Sequence, residues 1–372
     1  MKIELKNIKE KLKNLKPGES EFVYALAGLV FLVGLFLIIF FGWQYFSGKD
    51  FGSAIINLGD KEKEEQQENC NYRRTLDGVC VETQSEINPK LVAIMVENHL
   101  DARPQSGLVD ASVVYEVPVE ANYSRFMAVY PVEESVGKIG PVRSARPYFL
   151  DWVSEYDGPM YMHVGGSNEA LELIDDHDIF NINEMKRGWY FWRSEDRYAP
   201  HNTYTSSKLW TKALEAYEDN YDMGGEYEGW KFVTSTQDQS NIEPQVSEVT
   251  ISLLPPVYEA VWKYNTTTQQ YGRYQMGYPH VDLGGRKIVA DTIAIMHVEK
   301  EVLDAVGRLA IDTVSSGEAS VIYNGQKIDG TWWKESRESR TKFYDNNNEE
   351  ILFKPGKIWI EVVPQDGGVS YE

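Results

Sequence analysis

Arg143 and Arg146, three residues apart in IGPVRSARPYF (139–149), are well placed for chemistry. At a helix start they would share one face, where two guanidiniums can clamp a carboxylate or phosphate. Other arginines and histidines stand in segments of weak periodicity: His99 and Arg103 in NHLDARPQSG (98–107), Arg125 between two apolar runs, and His201 with Asn202 in RYAPHNTYTS (197–206). His163 ends an apolar run before Val164-Gly165-Gly166-Ser167, a strand-to-helix passage whose backbone N–H groups could receive an anion. The candidate ligand-binding set is therefore His99, Arg103, Arg125, Arg143, Arg146, His163, His201 and Asn202, of which Arg103, Arg125, Arg143, Arg146, His163 and His201 are expected to converge on one groove. The competing expectation is internal neutralisation by Glu97, Glu116 or Glu120, and for His163 a buried position in a tight connection.

Little else points to catalysis. No GxGxxG follows a strand, and P-loop, HExxH and GxSxG signatures are absent. Ser167, His163 and Asp175 can be written as a triad, but nothing in their spacing fixes its geometry. No catalytic residue, metal ligand or cofactor is expected. Trp332, Trp333 and Trp359 suit sheet packing or a platform for sugar rings. With 57 acidic against 37 basic side chains and a net charge of −20, a non-specific nucleic-acid binder is excluded. Thirteen per cent aromatic residues exclude global disorder.

The elements that position these residues begin with an anchor. Residues 22–46 carry no charge, exceed the ~20 residues that cross a bilayer core, and end in Trp43, Tyr45 and Phe46. This is a single transmembrane helix whose partner is the lipid bilayer. Residues 1–21 hold six lysines and place Leu5, Ile8, Leu12 and Leu15 on one helical face, so they form a basic amphipathic tail. The positive-inside bias puts that tail in the cytoplasm and the bulk of the chain outside the plasma membrane. Residues 47–87 read as a stalk containing a small loop closed by Cys70 and Cys80, which an oxidising compartment would let pair.

Beyond the stalk an α+β fold is expected. Residues 88–233 alternate apolar runs (91–98, 112–120, 125–132) with helical patterns at 146–156, 167–177 and 206–221. The polar stretch 234–245 separates them from residues 246–364, a mostly antiparallel β domain with a two-residue hairpin at Asn324-Gly325.

The segments NHLDARPQSG, VVYEVPVEANYSRFMAVY, KIGPVRSARPYFLDW, HVGGSNEAL and RYAPHNTYTS resemble one known family, the YerB-like proteins, as do VWKYNTTTQQYGRY, HVDL, GTWWKES and PGKIWIEVVP. The resemblance covers about residues 88–364. It implies an envelope-anchored bacterial protein, often a lipoprotein, with an α+β first domain and a β-rich second domain. It carries no catalytic mechanism. The chain departs from lipoprotein members by its apolar span and its cysteine loop. The expected role is a non-enzymatic binding module for cell-wall glycan or envelope proteins; the alternative is an envelope hydrolase using the His/Arg cluster.

Overall fold

Seven-residue strands buried from end to end, such as Leu91–Glu97 and Ile358–Pro364, demand cover on both faces. A computed structural model supplies it. It describes residues 70–372 except 222, 235–243 and 254–255, together with Gly34. Apart from Gly34, the expected tail 1–21, apolar span 22–46 and stalk residues 47–69 lie outside the described residues. Among the described residues, no helix is long and apolar enough to cross a membrane.

The largest sheet has ten strands, in the order Lys342–Asp345, Gln326–Trp333, Ser316–Tyr323, Thr292–Val298, Ile358–Pro364, Val113–Pro118, Ser124–Pro131, Leu91–Glu97, Met160–His163 and Asn181–Asn183. Its centre joins the two halves of the chain. Ile358–Pro364 runs parallel to Thr292–Val298 on one side and to Val113–Pro118 on the other. The other pairings of the second half are antiparallel. They include a six-stranded sheet built on Glu248–Ser252, Ala260–Asn265 and Gln270–Gln275. Alternate residues of each long strand feed two cores. One core packs the large sheet against this second sheet and against helix Ser207–Tyr217 through Trp210, Ala213 and Leu214. The other packs it against helices Pro147–Val153 and Asn168–Asp176, through Phe149, Trp152 and Ile174.

Several local signals are realised. Ser167 caps its helix by accepting the Ala170 N–H at 3.2 Å. Asn324 and Gly325, at φ of 49° and 73°, turn the hairpin between Ser316–Tyr323 and Gln326–Trp333. One expected position is corrected: Arg143 and Arg146 do not share a helix face. The helix starts at Pro147, and the residue before a proline is pushed out of the helical region, so Arg146 is extended at φ −135°.

The segment 70–87, expected as the end of the stalk, is folded. Cys70 and Cys80 form a disulfide. Leu76 is fully buried and the Gly356 N–H donates to the Asp77 carbonyl at 2.9 Å. Gly78, at φ +70°, lies flat against the Phe232 ring, leaving no room for a Cβ. Leu76, Val79 and Val81, scattered in a polar loop, gave no periodic sign of this docking.

Candidate functional site

The segment NHLDARPQ carries two sets of side chains with opposite roles. Asn98, Arg103 and Gln105 turn inward. Asn98 Nδ2 donates to Glu116 Oε1 at 3.1 Å and to Ser124 Oγ at 2.7 Å. Gln105 Nε2 and Arg103 Nε both donate to Asn98 Oδ1, at 2.9 and 3.0 Å. Arg103 also lies over the Tyr258 ring and donates to the Val257 carbonyl at 2.8 Å. Burial, then the charge of Arg273, lowers its pKa to about 10.

At the centre of this network is Arg273, which the sequence reading missed. Its guanidinium is fully buried, pairs with Glu116, and donates to His280 Nδ1 at 2.7 Å. His280 Nε2–H is then the donor to Gln105 Oε1, at 2.9 Å. The Phe126, Trp262 and Trp359 rings surround Arg273 at 5.5, 5.8 and 5.3 Å. Glu361 stands beside Glu116 in the parallel register. Burial, then the Glu116 charge, raises its carboxyl well above the usual range. Glu361 Oε1 accepts from Trp262 Nε1 at 2.8 Å, while Oε2 has no donor among the described residues. A neutral acid whose proton is given to Glu116 satisfies both carboxyl groups. Trp359 and the buried Trp332 are thus packing residues, and Trp333 is 42% exposed.

His99 and Asp101 turn outward from the same segment. His99 stacks on His201 with ring centroids 4.5 Å apart. His201 Nδ1 lies 3.0 Å from Glu97 Oε2, and Arg143 Nε lies 3.0 Å from Glu97 Oε1. The Arg143 contact is an ion pair off the line of a hydrogen bond, and a quarter of the side chain is exposed. Next to it, Arg146 pairs with Glu120 through two nitrogens, Nε at 2.8 Å. Arg125 is 3.6 Å from Glu120 and donates to the Ser144 carbonyl at 2.7 Å. Burial, then Arg146, lowers the Arg125 pKa to about 10. Burial works to raise the Glu120 carboxyl, but the Arg146 hydrogen bond and the Arg125 and Arg146 charges outweigh it and hold the group at about 2.

Three arginines, two carboxylates and two imidazoles therefore meet at the ends of Leu91–Glu97 and Ser124–Pro131. His163 is not among them. It is fully buried, between the Gly165 carbonyl at 2.7 Å and Asn181 Oδ1 at 3.4 Å. Three of the four N–H groups after it are already taken: Val164 by the Arg143 carbonyl, Gly165 by Asn183 Oδ1, Ser167 by the Ala145 carbonyl. The turn is a tight connection and offers no anion cradle. Asn202 braces its own loop, accepting from Arg193 at 3.1 Å and donating to the Ser194 carbonyl at 3.2 Å. Arg197 ties that loop to the carbonyls of Ala102 and Pro104, which brings His201 to His99.

Burial lowers the His163 pKa to about 4. Its folded value lies below the ordinary 6.5, so its contribution to stability is present above pH 6.5 and lost as pH falls through 4. At ~1.4 kcal/mol per unit the loss is about 3 kcal/mol. Urea unfolding at pH 7 and pH 4 should show this component in the wild type and not in His163→Gln. An equal pH effect in both would assign the acid sensitivity elsewhere.

Two family profiles match this architecture: the "Protein of unknown function (DUF3048) N-terminal domain" over residues 76–221 and the corresponding C-terminal domain over 249–360. The fold is that of a two-domain α/β protein with a strand-rich second half, and the chain belongs to the YerB-like family. A relative described as "Putative lipoprotein YerB" of Bacillus subtilis (strain 168) is 30% identical over 275 residues, 73% of this chain and 81% of that one. The crystal structure of YerB protein from Bacillus subtilis superposes with a TM-score of 0.69 at 28% identity, covering 80% of this chain and 99% of that one.

Proposed function

We propose that this is a single-pass, membrane-tethered extracytoplasmic protein of the cell envelope, whose first domain binds a wall polymer bearing carboxylates or phosphates without turning it over. The tether rests on the uncharged run 22–46 and its basic N-terminal flank. The lipoprotein description of the Bacillus relative supports a membrane location by a different anchor.

The binding role rests on one observation. Among the described residues Arg143 is part-exposed and held by an ion-pair contact alone, beside an open pair of imidazoles, whereas Arg125 and Arg146 are hydrogen-bonded in place. A ligand oxyanion can therefore take up Arg143 without dismantling the Glu120 pairs. A second reading, an envelope hydrolase, is favoured by His201, whose Nδ1 faces Glu97 as an oriented general base does. Against it, neither His99 nor His201 hydrogen-bonds a hydroxyl among the described residues.

The test is co-sedimentation of the full chain in detergent with purified wall polymer, native or with its anionic groups amidated or removed. Retention on native polymer alone is expected. Equal retention on both, or release of cleaved products, would overturn the binding reading. For the tether, protease added to protoplasts should remove residues beyond 47 and spare the first 21; the reverse pattern would invert the orientation.

A further inference from the structure

We propose that His99, Asp101 and His201 form a binding site for one divalent transition ion of the zinc class. One donor atom from each of the three lies within 4.8 Å of the other two. Asp101 Oδ2 is 3.6 Å from His99 Nδ1 and 3.9 Å from His201 Nε2. Tetrahedral zinc with bonds of ~2.0–2.2 Å holds its donors about 3.4 Å apart. The two contacts to Asp101 therefore need to close by about half an ångström or less, and the His99–His201 pair by at most about 1.4 Å.

The tautomer is already set. His201 Nδ1 faces Glu97 Oε2 at 3.0 Å, so Nδ1 carries the proton and Nε2 presents its lone pair toward Asp101. A carboxylate behind a ligating imidazole is the usual support of a metal-bound histidine. Glu97 is in turn anchored by Arg143 on its other oxygen. Across the site, Tyr123 stands edge-on to His99 at 5.1 Å.

The freedom to close is where it is needed. Asp101 is 73% exposed, and His99 is 26% exposed with its Nδ1 held, among the described residues, by the Asp101 N–H at 3.2 Å. The two rings are stacked 15° from parallel, so their lone pairs do not yet converge. Turning the His99 ring toward His201 Nε2 and Asp101 releases that one weak contact and brings the donors to a common point. Glu97 and Asp101 set two carboxylates against the imidazoles, one behind His201 and one between the rings. The exposed side leaves a coordination position for water. Imidazole and carboxylate donors without thiolate suit zinc, cobalt or nickel over magnesium or calcium.

The proposal does not depend on the anion-binding reading, since its ligands are His99, Asp101 and His201 and its probe is a metal ion. The experiment titrates tag-free full chain in detergent with Co²⁺, followed by its ligand-field absorption, and then displaces the Co²⁺ with Zn²⁺. One equivalent is expected. His99→Ala and His201→Ala should each weaken binding at least about 100-fold, and Glu97→Gln about 10–100-fold. The exposed Asp101→Asn, which places no demand on folding, should weaken it at least about 10-fold, while His177→Ala, elsewhere on the surface, should leave it unchanged. Absence of saturable binding by the wild type, or binding undiminished in Asp101→Asn and His201→Ala, would overturn the site.

Discussion

Replacing Arg273 by Met should cost ~3–5 kcal/mol of unfolding free energy, because it leaves the buried Glu116 carboxylate without its cation. Arg273 and Glu116 are both fully buried, and they join the second half of the chain to the first. The partner experiment is Glu361→Gln. Burial and the Glu116 charge favour the protonated form of Glu361, so an amide of the same shape should be tolerated within about 1 kcal/mol. The pH dependence separates the two cases further. A carboxyl raised above its ordinary 4.5 gives stability that is complete below that value and is lost as pH rises through the folded pKa. Glu361→Gln should therefore match or exceed the wild type at alkaline pH. Urea unfolding followed by tryptophan fluorescence suits this test, since Trp262 and Trp359 flank Arg273. A loss of several kcal/mol in Glu361→Gln would show that this carboxyl is charged and the account of the network is wrong.

The second large effect is expected at Glu155, on the opposite face of the large sheet. Its Oε1 accepts from Lys334 Nζ at 3.0 Å and from the Thr341 N–H at 3.1 Å, and its Oε2 from Arg340 at 2.9 Å. Both cations are buried, Arg340 beneath the Trp230 ring at 3.7 Å. Burial lowers the Lys334 pKa, and the Glu155 charge opposes that shift. Glu155→Gln leaves two buried cations facing one neutral amide, at a cost of ~3–5 kcal/mol or more. Lys334→Met should cost less, since Glu155 keeps Arg340 and Thr341. The two midpoints in urea decide the order; a larger loss for Lys334→Met would place the weight of the cluster on the lysine.

Both networks explain which parts of this fold were readable from sequence. The hairpin at Asn324-Gly325, the helix Ser207–Tyr217 and the Cys70–Cys80 pair depend on residues near one another, and their signals are local. The central pairing of Ile358–Pro364 with Val113–Pro118 joins segments far apart in sequence, and no local period encodes it. Yet two clues to it were present. Glu116 lies inside VVYEVPV and Glu361 inside IWIEVVP, single carboxyls in runs too apolar to face water. In Gln270–Gln275 the alternation sets Arg273 on the inward face with Tyr271 and Gln275.

At the candidate site, residue type was legible and role was not. Arg143, His99 and His201 do meet, because Arg197 docks the His201 loop on the His99 segment and backbone pairing at Val142 and Ile139 joins it to the Arg143 segment. His163, the same residue type in a glycine-rich turn, is a buried brace.

The central claim is that Arg143 faces a ligand and does not hold the fold together. Arg143→Gln tests it directly, with thermal unfolding and wall-polymer co-sedimentation measured on one preparation. Glu97 keeps His201 at 3.0 Å when Arg143 is gone, so stability should fall by no more than about 1 kcal/mol. Retention on the polymer should drop by at least tenfold. Unchanged retention, or a loss of ~3–5 kcal/mol as for a broken buried pair, would contradict it and make Arg143 part of a structural network.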